Sequence, residues 1–114
     1  MFQQIRIKFY LTGSGRNPVE DFLKDQSNEI RERFVEAVQW LASGQNLSMP
    51  LSRSLSGIHP GLHEMRLKDR SGQIRVLYFI KKADAIYMLH AFRKKTQALP
   101  RQEIELALRR IREI

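Results

Sequence analysis

Cations at strand-like spacing are the residues of this chain best suited to chemistry. Arg66 and Lys68 stand two apart in "EMRLK", so an extended backbone turns both to one face. Arg75 interrupts the apolar run "IRVLYFI", and Arg93, Lys94 and Lys95 follow "AIYMLHAF" directly. Like charges brought together repel unless an anion neutralises them, so a convergence of these groups points to a phosphate ligand rather than to stability. The alternative reading is an edge-strand guard, in which charged side chains keep an unpaired strand edge from pairing with another chain. His90 titrates in the range useful for moving protons. On a strand buried on both faces it can equally be a core histidine with a satisfied hydrogen bond.

Other chemistries lack their residues. The chain has no cysteine, which excludes disulfides and thiolate zinc sites. It contains no HExxH, EF-hand loop, Walker loop or G-x-S-x-G elbow. "GSG" at 13–15 is too short for a phosphate cradle and reads as a turn. His59, His63 and His90 lie far in sequence from carboxylate clusters, so no metal and no cofactor are expected.

The charge distribution agrees with the cationic reading. Residues 1–52 balance six Lys/Arg against six Asp/Glu, while residues 53–114 hold fourteen cations and six acids, the whole excess of +8. A basic surface concentrated in one region is the footprint of a nucleic-acid binder, with a solubilising surface or an acidic protein partner as alternatives. "MFQQIRIKFY" lacks the cationic head and apolar run of a secretory leader, and no apolar stretch reaches the roughly 20 residues of a membrane span. A cytoplasmic location without membrane contact is expected.

Several elements are needed to position these cations. Ile5, Ile7 and Phe9 alternate with polar residues, predicting a half-buried strand. Asn17, Pro18 and Glu20 suit the cap, first turn and third position of a short helix over about 18–25. A second helix begins near Ser27, with Ile30, Phe34, Val38 and Leu41 as its stripe, and Gly44 ends it. "QNLSMPLSRSLSGIHPG" reads as an irregular connection. Strands over about 62–68, 73–80 and 84–92 follow, joined by turns at "KDRSGQ" and "KKAD". Pro100 opens a final helix burying Ile104, Leu108 and Ile111. This order predicts one α+β domain spanning 1–114, with a four-stranded, mainly antiparallel sheet, two N-terminal helices packed on it, and a C-terminal helix.

The second half resembles the RelE/HigB superfamily of toxins from type II toxin–antitoxin systems, in particular the phage-related HigB-like branch. The resemblance rests on Gly61, Leu62, Glu64 and Arg66, then Arg75 and Tyr78. It continues through Leu89, His90, Phe92, Lys94, Lys95, Thr96 and Pro100 to Glu103, Ile104 and Ala107, with "GRNPVEDFL" at 15–23 matching the first helix. It implies a ribosome-dependent mRNA endonuclease that enters the ribosomal A site and uses the RNA 2′-hydroxyl as nucleophile, without a metal. Arg66, Arg75, His90, Lys94 and Lys95 are then the catalytic candidates, and Lys68, Arg70 and Arg93 the RNA-binding ones. A cognate antitoxin, with a HigA-like helix-turn-helix domain, is the implied partner. RelE itself uses a tyrosine near its C-terminus, and the final helix here has none. Two alternatives share the fold: a ParE-like toxin that inhibits gyrase without cutting RNA, and a plain RNA- or protein-binding module.

Overall fold

The computed structural model describes residues 4–82 and 85–114. Part of the predicted "KKAD" turn, and the first residue of the strand predicted at 84–92, lie outside the described residues. The elements run β1 (Arg6–Phe9), α1 (Pro18–Leu23), α2 (Asn28–Ala42), β2 (Ser52–Ser54), β3 (Leu62–Asp69), β4 (Gly72–Lys82), β5 (Ala85–Lys94) and α3 (Arg101–Ile111).

The helices start where their caps dictate. The Asn17 side chain accepts from the Glu20 amide at 3.1 Å and donates to the Glu20 carboxylate at 3.1 Å, a reciprocal cap completed by Pro18 at the first helical position. Ser27 Oγ accepts from the Ile30 amide at 3.2 Å and donates to Asp69 Oδ2 at 2.5 Å, tying the start of α2 to the β3–β4 hairpin. The stripe of α2 buries Ile30, Phe34, Ala37 and Leu41, with Val38 only partly covered; Ala37 rather than Val38 takes the centre of the interface.

The sheet has five strands in the order β1-β5-β4-β3-β2, one more than the sequence predicts. The extra strand is β2, cut from the segment read as irregular, which pairs antiparallel with His63–Met65. Three residues, two of them serine, are too short to show a period. β1 is parallel to β5, and the remaining pairs are antiparallel.

Both faces of the sheet are covered. One carries Met65, Leu67, Ile74, Val76, Tyr78, Ile86 and Met88 against α1 and α2. The other carries Leu62, Leu77, Leu89 and Phe92 against Ala107 and Ile111 of α3. That double cover explains why β4 and β5 read as apolar on both faces. Gly61 turns the chain into β3 with φ +84°, and a Cβ there would stand 2.7 Å from the Ile80 carbonyl oxygen. Only glycine brings the two strands this close in that conformation.

Candidate phosphate-binding site

The site begins with pairing register. Arg66 stands directly opposite Arg75, Lys68 opposite Gln73, and Gln73 opposite Lys94. Arg53 on β2 faces Glu64 on β3. Directly paired residues in an antiparallel sheet point to the same side. Arg53, Glu64, Arg66, Lys68, Gln73, Arg75 and Lys94 therefore share the α3 face, beyond the end that α3 covers.

Lys94 reaches that face through a bulge. Leu77 pairs with His90 but Tyr78 pairs with Met88, so Leu89 is an extra residue in β5. An extra residue reverses the alternation that follows it. Phe92 and Lys94 consequently join Arg75, while Arg93 turns to the opposite face. There Arg93 donates to Gln26 Oε1 at 2.9 Å and to the Ser71 carbonyl at 3.3 Å, latching the β3–β4 hairpin to the α1–α2 corner.

At the centre lies Glu64, with 0% of its side chain exposed. Its Oε1 is 3.4 Å from Arg53 Nε and 3.5 Å from Arg66 Nε, and its Oε2 is 3.4 Å from Arg75 Nε. These are ion-pair separations without aligned hydrogen bonds, and both carboxylate oxygens and the Nε atoms of Arg66 and Arg75 lack hydrogen-bond partners among the described residues. Arg75, 6% exposed, is further held by Nη2 donating to Gln73 Oε1 at 2.6 Å. Arg66 and Arg53 are progressively more open, at 26% and 44%. One carboxylate among three guanidiniums leaves two positive charges uncompensated. An oxyanion supplies what that arrangement lacks.

Partial burial lowers the Lys94 ammonium below the ordinary lysine range, and the positive field of Arg75, with Arg66 and Arg53, lowers it further against the opposing pull of Glu64. A lysine shifted in this direction gives up a proton more readily than a free one.

Arg66, Lys68, Arg75, Lys94 and Lys95 line a cleft of about 1050 Å³ at the end of the sheet. Arg33, Glu36 and Trp40 of α2, with Pro50 and Leu51, also line it. His90, Arg70 and Arg93 do not contribute to it. Arg70 is exposed at the tip of the β3–β4 hairpin. His90 lies under α3, its Nε2 2.9 Å from Glu103 Oε2 and its Nδ1 3.5 Å from Arg110 Nη1. An arginine only donates, so Nδ1 accepts and Nε2 carries the proton given to Glu103. Arg110 also donates to the Leu89 carbonyl at 2.7 Å and stacks on the Tyr10 ring, and Tyr10 donates to Glu113. The structure thus uses His90 to join β5 to α3.

Two residues of the cluster, Arg53 and Glu64, are not among the site residues that the sequence predicts, although Glu64 belongs to the family motif. Arg53 is hidden in a serine-rich stretch. Glu64 is a lone acid in "LHEMRL", and the available signal is its position two residues before Arg66, on the same face. Among the described residues no group of three or more His, Asp or Glu side chains is arranged to hold a metal ion.

The protein is thus a small α+β fold that gathers guanidinium and ammonium groups in an open cleft, beside a buried carboxylate. No curated protein matches the sequence. The family of phage-derived Gp49-like proteins (DUF891) matches residues 21–112, and the chain belongs to that family, one of the RelE/HigB-like toxin families.

Proposed function

We propose that this protein is the toxin of a type II toxin–antitoxin system, of the HigB-like branch, and that it cleaves mRNA on the ribosome. The observation that carries the reading is the trio of arginines around Glu64, two of which, Arg66 and Arg75, line one cleft with Lys94. Attack by the RNA 2′-oxygen on the adjacent phosphorus adds negative charge to the non-bridging oxygens, and Arg66 and Arg75 stabilise it. The bond to the 5′-oxygen breaks as the 2′-oxygen bond forms, leaving a 2′,3′-cyclic phosphate and a 5′-hydroxyl. Lys94 gives the departing oxygen its proton, and Lys68 and Lys95 hold the flanking backbone. The proton of the 2′-hydroxyl goes to solvent or to ribosomal RNA, since His90 is engaged with Glu103. The step as written uses no metal. A helix-turn-helix antitoxin is the neutralising partner.

Expression in a bacterial host tests the reading. Wild-type protein arrests growth and translation. Lys94→Ala relieves the arrest while the purified variant keeps its helical circular dichroism. Undiminished toxicity after replacing Arg66, Lys68, Arg75, Arg93, Lys94 and Lys95 together contradicts it.

A further inference from the structure

Trp40 stands in the last turn of α2 with half of its surface (50%) exposed, although it is the largest apolar side chain of the protein. Its backbone is fixed, because its carbonyl accepts from Ser43 Oγ at 2.8 Å and from the Gln45 amide at 3.1 Å. Among the described residues no ring or cation lies against the indole. It lines the same cleft as Arg66, Arg75 and Lys94. The cleft's charged lining is strongly positive, with Glu36 as its one acid. A bare phosphate makes no use of an indole, and an apolar peptide makes no use of the cations. A nucleotide uses both.

We propose that Trp40 is a stacking platform for an unpaired base of the RNA whose phosphate is held by the arginine cluster. This rests on the RNA reading given above and extends it to a base subsite. Every base has a π-face, so the platform adds affinity and orientation with little sequence preference. Its removal weakens single-strand binding about 5- to 150-fold, the range for loss of one stacked base.

The chain has one tryptophan, so its own fluorescence reports the contact. The probe is a short 2′-O-methyl oligoribonucleotide, which lacks the nucleophile and cannot be cut, carrying a dye for anisotropy and used at low ionic strength. Its counterpart has the same backbone with abasic sugars. The oligonucleotide with bases binds and quenches Trp40 in step with anisotropy, whereas the abasic backbone binds without quenching. Trp40→Ala lowers affinity for the first to that for the second, and Trp40→Phe restores much of it. Binding without quenching, or equal affinity in Trp40→Ala, overturns the stacking site while leaving the RNA reading intact. Quenching by an antitoxin alone, with the oligonucleotide bound but silent, overturns it in favour of a protein-docking face. Absence of binding by either oligonucleotide overturns the stacking site, and the RNA reading is then decided separately by cleavage on ribosomes. Normal binding and quenching without cleavage on ribosomes removes the nuclease reading and keeps the stacking site.

Discussion

Glu64 divides its two oxygens among three guanidiniums, and it is the residue on which the geometry of the site depends. Replacing it by glutamine keeps the shape but leaves the nearly buried Arg75 without its counter-charge. Loss of one partner from a buried ion pair costs about 3–5 kcal/mol. Glu64→Gln is therefore expected to lower the melting temperature by roughly 10 °C or more and to abolish toxicity, read by thermal unfolding and by growth after induction. An unchanged melting temperature would show that the cluster does not bear on stability. Lys94 carries a second expectation. Its ammonium loses its proton at a lower pH than an ordinary lysine, with burial first and Arg75 second among the causes. Cleavage that needs the protonated form declines on the alkaline side, below the ordinary lysine range. Lys94→Arg, which stays charged, removes that decline in a pH profile of the cleavage rate.

Among the elements, β5 does the most to build the site. Its extra residue at Leu89 lets both Leu89 and His90 meet α3 and then brings Lys94 to the side of Arg75. A strict two-residue alternation counted from Ile86 and Met88 places Lys94 on the α1–α2 face instead. The bulge is why the cluster of cations was legible in the sequence as a set of types but not as a geometry. The strands of the meander and the caps at Asn17 and Ser27 were legible because each rests on local spacing. β2 and the Arg53 it delivers were not, since a three-residue edge strand takes its definition from its neighbour. The seam between β5 and α3 gives a pH expectation. Burial, reinforced by Arg110 and opposed by Glu103, lowers the His90 pKa below its ordinary 6.5. The unfolded chain then binds the proton more readily than the folded one. Stability is full above about pH 6.5 and falls as the pH drops below it. His90→Gln, whose amide can donate to Glu103 and accept from Arg110, flattens that fall. Melting curves between neutral and mildly acidic pH check it.

The whole molecule carries +8, all of it from residues 53–114, and the fold concentrates part of that excess in one cleft. If the cleft holds RNA as proposed, association is driven by counterion release. If Arg66, Lys68, Arg75 and Lys94 each neutralise one phosphate, the logarithm of the binding constant falls with the logarithm of salt with a slope of about −3. Charge reversal at Lys24 or Arg101, which do not line the cleft, leaves that slope unchanged, and loss of Lys68 reduces it by about 0.7. The family, the cleft and the charge all bear on one claim, that the cations serve RNA cleavage. The direct measurement uses purified ribosomes programmed with a defined message, incubated with wild-type protein or Arg75→Ala, followed by chemical mapping of the RNA ends. The account predicts cuts within the A-site codon that carry 2′,3′-cyclic phosphate and 5′-hydroxyl ends and disappear with Arg75→Ala. An intact message from a protein that still arrests growth, and that inhibits DNA supercoiling by gyrase, would contradict it.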